Sequence, residues 1–117
     1  LHEAAAHQRR AKETISSGED WLGLAAEVHM AEGVLATGRK HWQEAEAAFQ
    51  KAVETNRQYQ LPYYEARSLL EWGEMCLSRN DPGDRDKGMQ FLNQASAIFR
   101  RIQARKMVEK VLATQGR

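Results

Sequence analysis

Little in this sequence can cross-link, kink or span a membrane. Its single cysteine, Cys76, excludes an intrachain disulfide, so nothing favours an oxidising compartment and a cytoplasmic setting is the expectation. Only two prolines, Pro62 and Pro82, interrupt the chain, which leaves nearly all of it free to be helical. No apolar stretch approaches the roughly 20 residues that a membrane-crossing helix needs, so no membrane partner is expected. The net charge of +1 is too small to argue for nucleic acid through a global field. There is also no Gly-x-Ser-x-Gly elbow, phosphate-cradling glycine loop or dinucleotide fingerprint. Nucleophilic and nucleotide chemistry therefore lack their usual supports, and neither a catalytic residue nor a cofactor is expected.

What is present suits a folded chain. Charged residues make up 28% of the 117 positions and hydrophobic residues 42%, a balance typical of a single soluble domain. Because the sequence opens on Leu1 in the middle of a repeat, it reads as part of a longer protein.

The repeat is the strongest signal. Glu3-Ala4, Ala11 and Glu13-Thr14 return 41 positions later as Glu44-Ala45, Ala52 and Glu54-Thr55. In a third copy Gly88, Leu92 and Ala95 take the places of Ala45, Phe49 and Ala52, and the helix before is echoed as Ala26, Gly33, Ala36 and then Ala66, Gly73, Cys76. Small residues at fixed places in successive helices, with a period of about 40, point to an α-solenoid of helix pairs.

Six helices follow from the periodicity. The first spans about His2 to Ile15 and ends at Ser16-Ser17-Gly18; the second starts near the N-cap Asp20 and carries Trp21, Leu24, Ala25, Val28, Ala31 and Leu35 until Gly38 stops it. A third, His41 to Asn56, sets Ala45, Ala48, Phe49 and Ala52 inward, with Glu44, Glu46, Gln50 and Lys51 in water. Leu61-Pro62 opens the fourth, whose apolar face is Ala66, Leu69, Leu70, Gly73, Cys76 and Leu77. After a turn at Asn80-Asp81-Pro82-Gly83-Asp84, rich in capping carboxylates, the fifth carries Met89, Leu92, Ala95, Ile98 and Phe99 to about Gln103. The last, Ala104 to Thr114, covers the open end with Met107, Val108, Val111 and Leu112.

The spacing of Gly33, Ala45, Phe49 and Ala52 resembles that of tetratricopeptide repeats, in which a small residue admits a neighbouring helix and a bulky one fills the groove. More specifically, Ala26-Glu27-Val28-His29, Glu44-Ala45-Glu46-Ala47-Ala48-Phe49 and Tyr64-Glu65-Ala66-Arg67-Ser68-Leu69-Leu70 resemble the repeat tails of LuxR-type ATP-dependent transcriptional regulators and ATPase-linked nucleotide cyclases. His29 and Glu32 depart from the family's large apolar preference, and a shift of two positions would turn Val28, Ala31 and Leu35 inward instead. The resemblance implies an all-α, non-catalytic interaction module of a signalling protein. Its groove would present Glu27, Met30, Val34 and Thr37 from one repeat and Arg67, Leu70, Glu71 and Glu74 from the next. The two-carboxylate clamp of chaperone-binding members needs lysine and asparagine there. This mixed apolar and acidic set instead suits an amphipathic or basic segment.

The remaining constellations favour packing. His2, His7, His29 and His41 include no pair at the i, i+4 spacing that makes a helical metal site, so no metal is expected. Asp81, Asp84 and Asp86 resemble a calcium loop, but Leu92 stands where its closing glutamate belongs. Cys76, on the apolar stripe, should be inert, and Trp21, Trp42 and Trp72 should pack between helices rather than stack on ligands. Arg100, Arg101, Arg105, Lys106 and Lys110 meet only Glu109 and form a basic cluster, a candidate grip for an acidic partner or nucleic acid, although a solvated outer face of the last helix accounts for it better. The expected partner is a protein or peptide. A second copy, docked in the groove or on an uncovered side of the first helix through Leu1, Ala4 and Ala11, is the alternative.

Overall fold

With one proline at a helix start and the other in a turn, nothing breaks the helical pattern from within. The computed structural model describes residues 22–116, and among these it contains five α-helices and no strand. They are α1 (Leu22–Gly38), α2 (Trp42–Gln58), α3 (Pro62–Arg79), α4 (Asp84–Arg101) and α5 (Arg105–Gln115). The boundaries follow the periodicity closely. The helix expected over His2 to Ile15, together with its Ser16-Ser17-Gly18 end, Asp20 and Trp21, lies outside the described residues.

Three of the four connections are one turn used three times. Lys40, Gln60 and Gln103 adopt φ of 59°, 55° and 60° in the left-handed region, although none is glycine. In each case the next N–H reaches back five residues: His41 to the Ala36 carbonyl (2.9 Å), Leu61 to Asn56 (2.8 Å) and Ala104 to Phe99 (2.8 Å). The left-handed residue itself donates to the carbonyl three before it, at Thr37, Arg57 and Arg100. This is the Schellman arrangement, which satisfies the last helical carbonyls and reverses the chain within a few residues. Gly38 ends α1 but is not the left-handed residue; Lys40 is.

The fourth connection is built differently. Asn80 is left-handed (φ 53°), and Gly83 takes φ 86°, which strains any side chain. The expected carboxylate cap is absent there. Instead Asp84, 5% exposed, accepts two 2.8 Å bonds from the Arg79 guanidinium and one from the Asp81 N–H. The turn is thus clipped across its mouth by an Arg79–Asp84 pair.

Each helix packs on the next, and α1 also packs on α3. Two apolar clusters result. One centres on Met30, Ala36, Ala45, Phe49, Met75 and Cys76; the other on Leu69, Leu70, Leu92, Phe99 and Val111. Trp72 and Phe91, stacked at 4.0 Å, border both, and Trp42 packs against the first, so both described tryptophans are packing residues. Glycine sets the closest approaches. A Cβ on Gly33 would lie 2.5 Å from the Phe49 ring, and one on Gly73 would meet Leu92 Cγ at 2.8 Å and the Gly88 carbonyl at 3.1 Å.

Two expectations are corrected here. Glu46 is half-buried rather than solvated, because Lys87 and Arg79 draw it onto α4 and α3. Leu112 is 51% exposed, since the core-facing side of α5 is set by Val111 and Thr114.

Candidate functional site

The register of α1 decides which residues are available. Gly33 faces Phe49, so residues three before and three after it, Met30 and Ala36, point the same way and are buried. Ala31 and Val34 face out, Val34 at 45% exposure, while Val28 is buried. Neither expected register is reproduced whole. The same geometry recurs one repeat on: Leu70, three before Gly73, is 1% exposed. Met30 and Leu70 are therefore core residues and do not line an open groove. The close-approach glycine was the available signal, since its i − 3 neighbour shares its face.

Six of the expected groove residues reach the surface at least in part. On α1, Glu27 and Val34 are exposed and Thr37 is half-buried, its hydroxyl donating to the Gly33 carbonyl at 2.8 Å. On α3, Arg67, Glu71 and Glu74 are half-buried. Helix α5 comes up beside them, with the Thr114 hydroxyl 3.4 Å from Glu74. Burial and the neighbouring Glu74 charge hold the Glu71 carboxyl above its ordinary range, against the pull of Lys110 and Arg67. The surface along α1, α3 and the end of α5 is thus mixed apolar and acidic.

On the opposite side α2 and α4 stand apart over a cleft of about 440 Å³, floored by Leu69 and Trp72 of α3 and walled by Arg57, Glu54, Lys87 and Phe91. Charged side chains bridge it. Arg57 pairs with Glu65 at 2.9 Å and reaches Gln94; Lys87 and Arg79 both bond Glu46. Burial opposes ionisation of Glu46, but the bonds and charges of Lys87 and Arg79 outweigh it, and its carboxyl lies below the usual range. The Arg79 hydrogen bonds do the same for Asp84, against its burial. This network, with the buried Asn56–Ser68 contact at 3.3 Å, ties α2, α3 and α4 together; the periodicity reading missed both, because polar side chains at core-facing positions look like pattern noise.

The basic cluster is where the sequence places it. Arg100, Arg101, Arg105, Lys106 and Lys110 are all exposed, and none has an ion-pair partner within 4 Å among the described residues. Arg100 and Arg105 flank a cleft of about 360 Å³ at the α4–α5 junction, with Phe99, Gln103, Ala104, Val108 and Glu109.

Cys76 is buried, and desolvation, aided by the Asp84 charge, pushes its thiol up to about 11. Such a sulfur is neither a nucleophile nor a thiolate ligand at neutral pH. Asp81, Asp84 and Asp86 do not converge, because Asp84 turns inward to Arg79. Among the described residues no group of three or more His, Cys, Asp or Glu could hold a metal ion, and no helix is long and apolar enough to cross a membrane. Leu1, Ala4, Ala11, His2 and His7 lie outside the described residues. Comparison with protein-family models, curated proteins and solved structures finds no match to this chain.

Proposed function

We propose that this chain is a non-catalytic protein-interaction module, a tetratricopeptide-like stack of helix pairs whose odd-numbered helices line the surface that receives a partner segment. The observation that carries the reading is the packing asymmetry. Helices α1 and α3, separated by a whole helix in sequence, pack together, whereas α2 and α4 stand apart over a cleft. A stack closer on one side than the other curves toward the closer side, and solenoids use such concave faces for binding. In this reading α5 closes the stack through Val111 and belongs to the same face through Thr114 and Lys110. The scaffold or sensor role in a signalling or transcriptional regulator follows from the resemblance in the sequence.

The chemistry of the face selects its partner. Val34 offers exposed apolar area, and Glu27, Glu71 and Glu74 supply carboxylates with Arg67 and Lys110 beside them. A basic amphipathic helix or strand would bury its apolar side and neutralise the acidic pair. Titration calorimetry with a lysine–leucine amphipathic peptide tests this. Val34→Asp and Glu74→Lys should each weaken binding about tenfold, equivalent to about 1.4 kcal/mol. Unchanged affinity in both variants, with unchanged circular dichroism, would overturn the reading. Leu70 is not a useful probe, since a charge there would enter the core.

A further inference from the structure

Of the five cations at the C-terminal end, Lys110 acts on Glu71 of the groove, while Arg100, Arg101, Arg105 and Lys106 have no role there or in the α2–α3–α4 network. The cations that border the α2–α4 cleft are paired, Arg57 with Glu65 and Lys87 with Glu46, whereas Arg39, beside the cleft lined by Leu35, Ala36 and Ala48, has no ion-pair partner among the described residues. Arg100 and Arg105 border the α4–α5 cleft and have no ion-pair partner within 4 Å among the described residues. Its floor is apolar, with Ala104 and Val108 over the buried Phe99, and Leu112 extends the apolar surface along α5 at 51% exposure. Glu109 is the single carboxylate on the wall.

We propose that this α4–α5 cleft docks an acidic amphipathic segment of another protein, with the apolar side of the segment on Ala104, Val108 and Leu112 and its carboxylates on Arg100 and Arg105. Charge complementarity carries the commitment. Residues 100–112 hold five cations against one carboxylate, whereas residues 27–99 hold eight cations against eleven carboxylates, so within residues 27–112 the basic character is confined to this end. A partner must supply negative charge and apolar area together. Nucleic acid supplies the charge, but Phe99, the only aromatic ring in the cleft among the described residues, is fully covered and gives bases nothing to stack on. A second copy would have to bring its α1–α3 surface, where Val34 lies with Glu27, Glu71 and Glu74, and that occupant is one of the outcomes the experiment separates. The site is separate from the α1–α3 groove, and its test uses different residues.

The probe is a fluorescent amphipathic peptide of glutamate and leucine at helical spacing, followed by polarisation at low and moderate salt. Polyglutamate of equal charge and a short DNA duplex serve as comparisons. The peptide should bind at least tenfold more tightly than polyglutamate, and affinity should fall as salt screens the rim. Arg100→Glu with Arg105→Glu, both exposed and outside the core, should lower affinity at least tenfold; Val108→Asp should do so with less change in salt dependence. Equal binding of polyglutamate and peptide would overturn the proposal, because the apolar floor would then play no part. Duplex binding that survives Val108→Asp would make this a nucleic-acid surface and overturn it as well. So would light scattering that shows a concentration-dependent dimer abolished by the double charge reversal, since the occupant would then be a second copy.

Discussion

The crossing of α3 and α4 can be tested with one methyl group. A Cβ on Gly88 would lie 3.1 Å from the Gly73 carbonyl oxygen and 3.2 Å from Cys76 Cβ; one on Gly73 would lie 3.1 Å from the Gly88 carbonyl and 2.8 Å from Leu92 Cγ. Each glycine therefore faces the other's backbone, which cannot rotate away as a side chain can. Replacing either with alanine gains about 1 kcal/mol of helix propensity. Against this stands overpacking of a dense interior, at about 1–3 kcal/mol. At Gly73 the contacts are shorter, and the blocking Leu92 is itself fully buried, so the cost should sit at the upper end. Gly73→Ala should lose about 2 kcal/mol net, and Gly88→Ala about 1 kcal/mol or less. At roughly 4 °C per kcal/mol for a chain of this size, thermal unfolding followed by circular dichroism should show a drop of about 8 °C for the first. The double variant should cost less than the sum, because helices already parted by one methyl leave room for the other. A rise in melting temperature for Gly73→Ala would mean that propensity wins and the helices do not meet as closely as described.

Three further outcomes follow from other parts of the chain. Glycine at Lys40, Gln60 and Gln103 should relieve about 1 kcal/mol of left-handed strain per site and return part of it through the freer unfolded chain, so the triple variant should melt several degrees higher. Asp84→Asn should cost about 3 kcal/mol in urea unfolding at pH 7, because it leaves the Arg79 guanidinium facing a neutral amide. Asp84 has a folded pKa below its unfolded value of about 4, so its stabilisation is present above that pH and disappears as pH falls through the folded value; wild type and variant should converge in acid. Cys76 should resist thiol reagents at pH 8 in the folded protein and react fully in denaturant; equal rates in both would contradict its burial.

Helix existence and limits were legible because apolar and small residues recur at helical spacing and because Pro62, Gly83 and Asn80 mark ends in familiar ways. The close approaches were legible for the same reason, since Gly33 and Gly73 occupy one place in a repeat. The turns were not. Lys40, Gln60 and Gln103 carry no left-handed preference, and tertiary packing of the flanking helices imposes it on them. Exposure at the expected groove positions was partly legible: Glu27, Val34, Thr37, Arg67, Glu71 and Glu74 reach the surface at least in part, but Met30 and Leu70 share a face with the glycines and go inward. The ion network escaped notice because Glu46 and Lys87 lie 41 residues apart, and no local rule joins them.

The threefold use of one turn says something about where the repeat unit begins. The same reversal joins α1 to α2, α2 to α3 and α4 to α5, so the loop at Lys40, inside a pair in the proposed reading, cannot be told from the loop at Gln60 between pairs. Phase along the described helices is marked instead by two notches into which the following helix sets a bulky side chain, Gly33 of α1 for Phe49 and Gly73 of α3 for Leu92. Deleting one helix together with its turn would keep every reversal intact yet leave a notch facing the wrong neighbour. In the proposed pairing, whole pairs are therefore the smallest pieces that could be gained or lost without misplacing a notch.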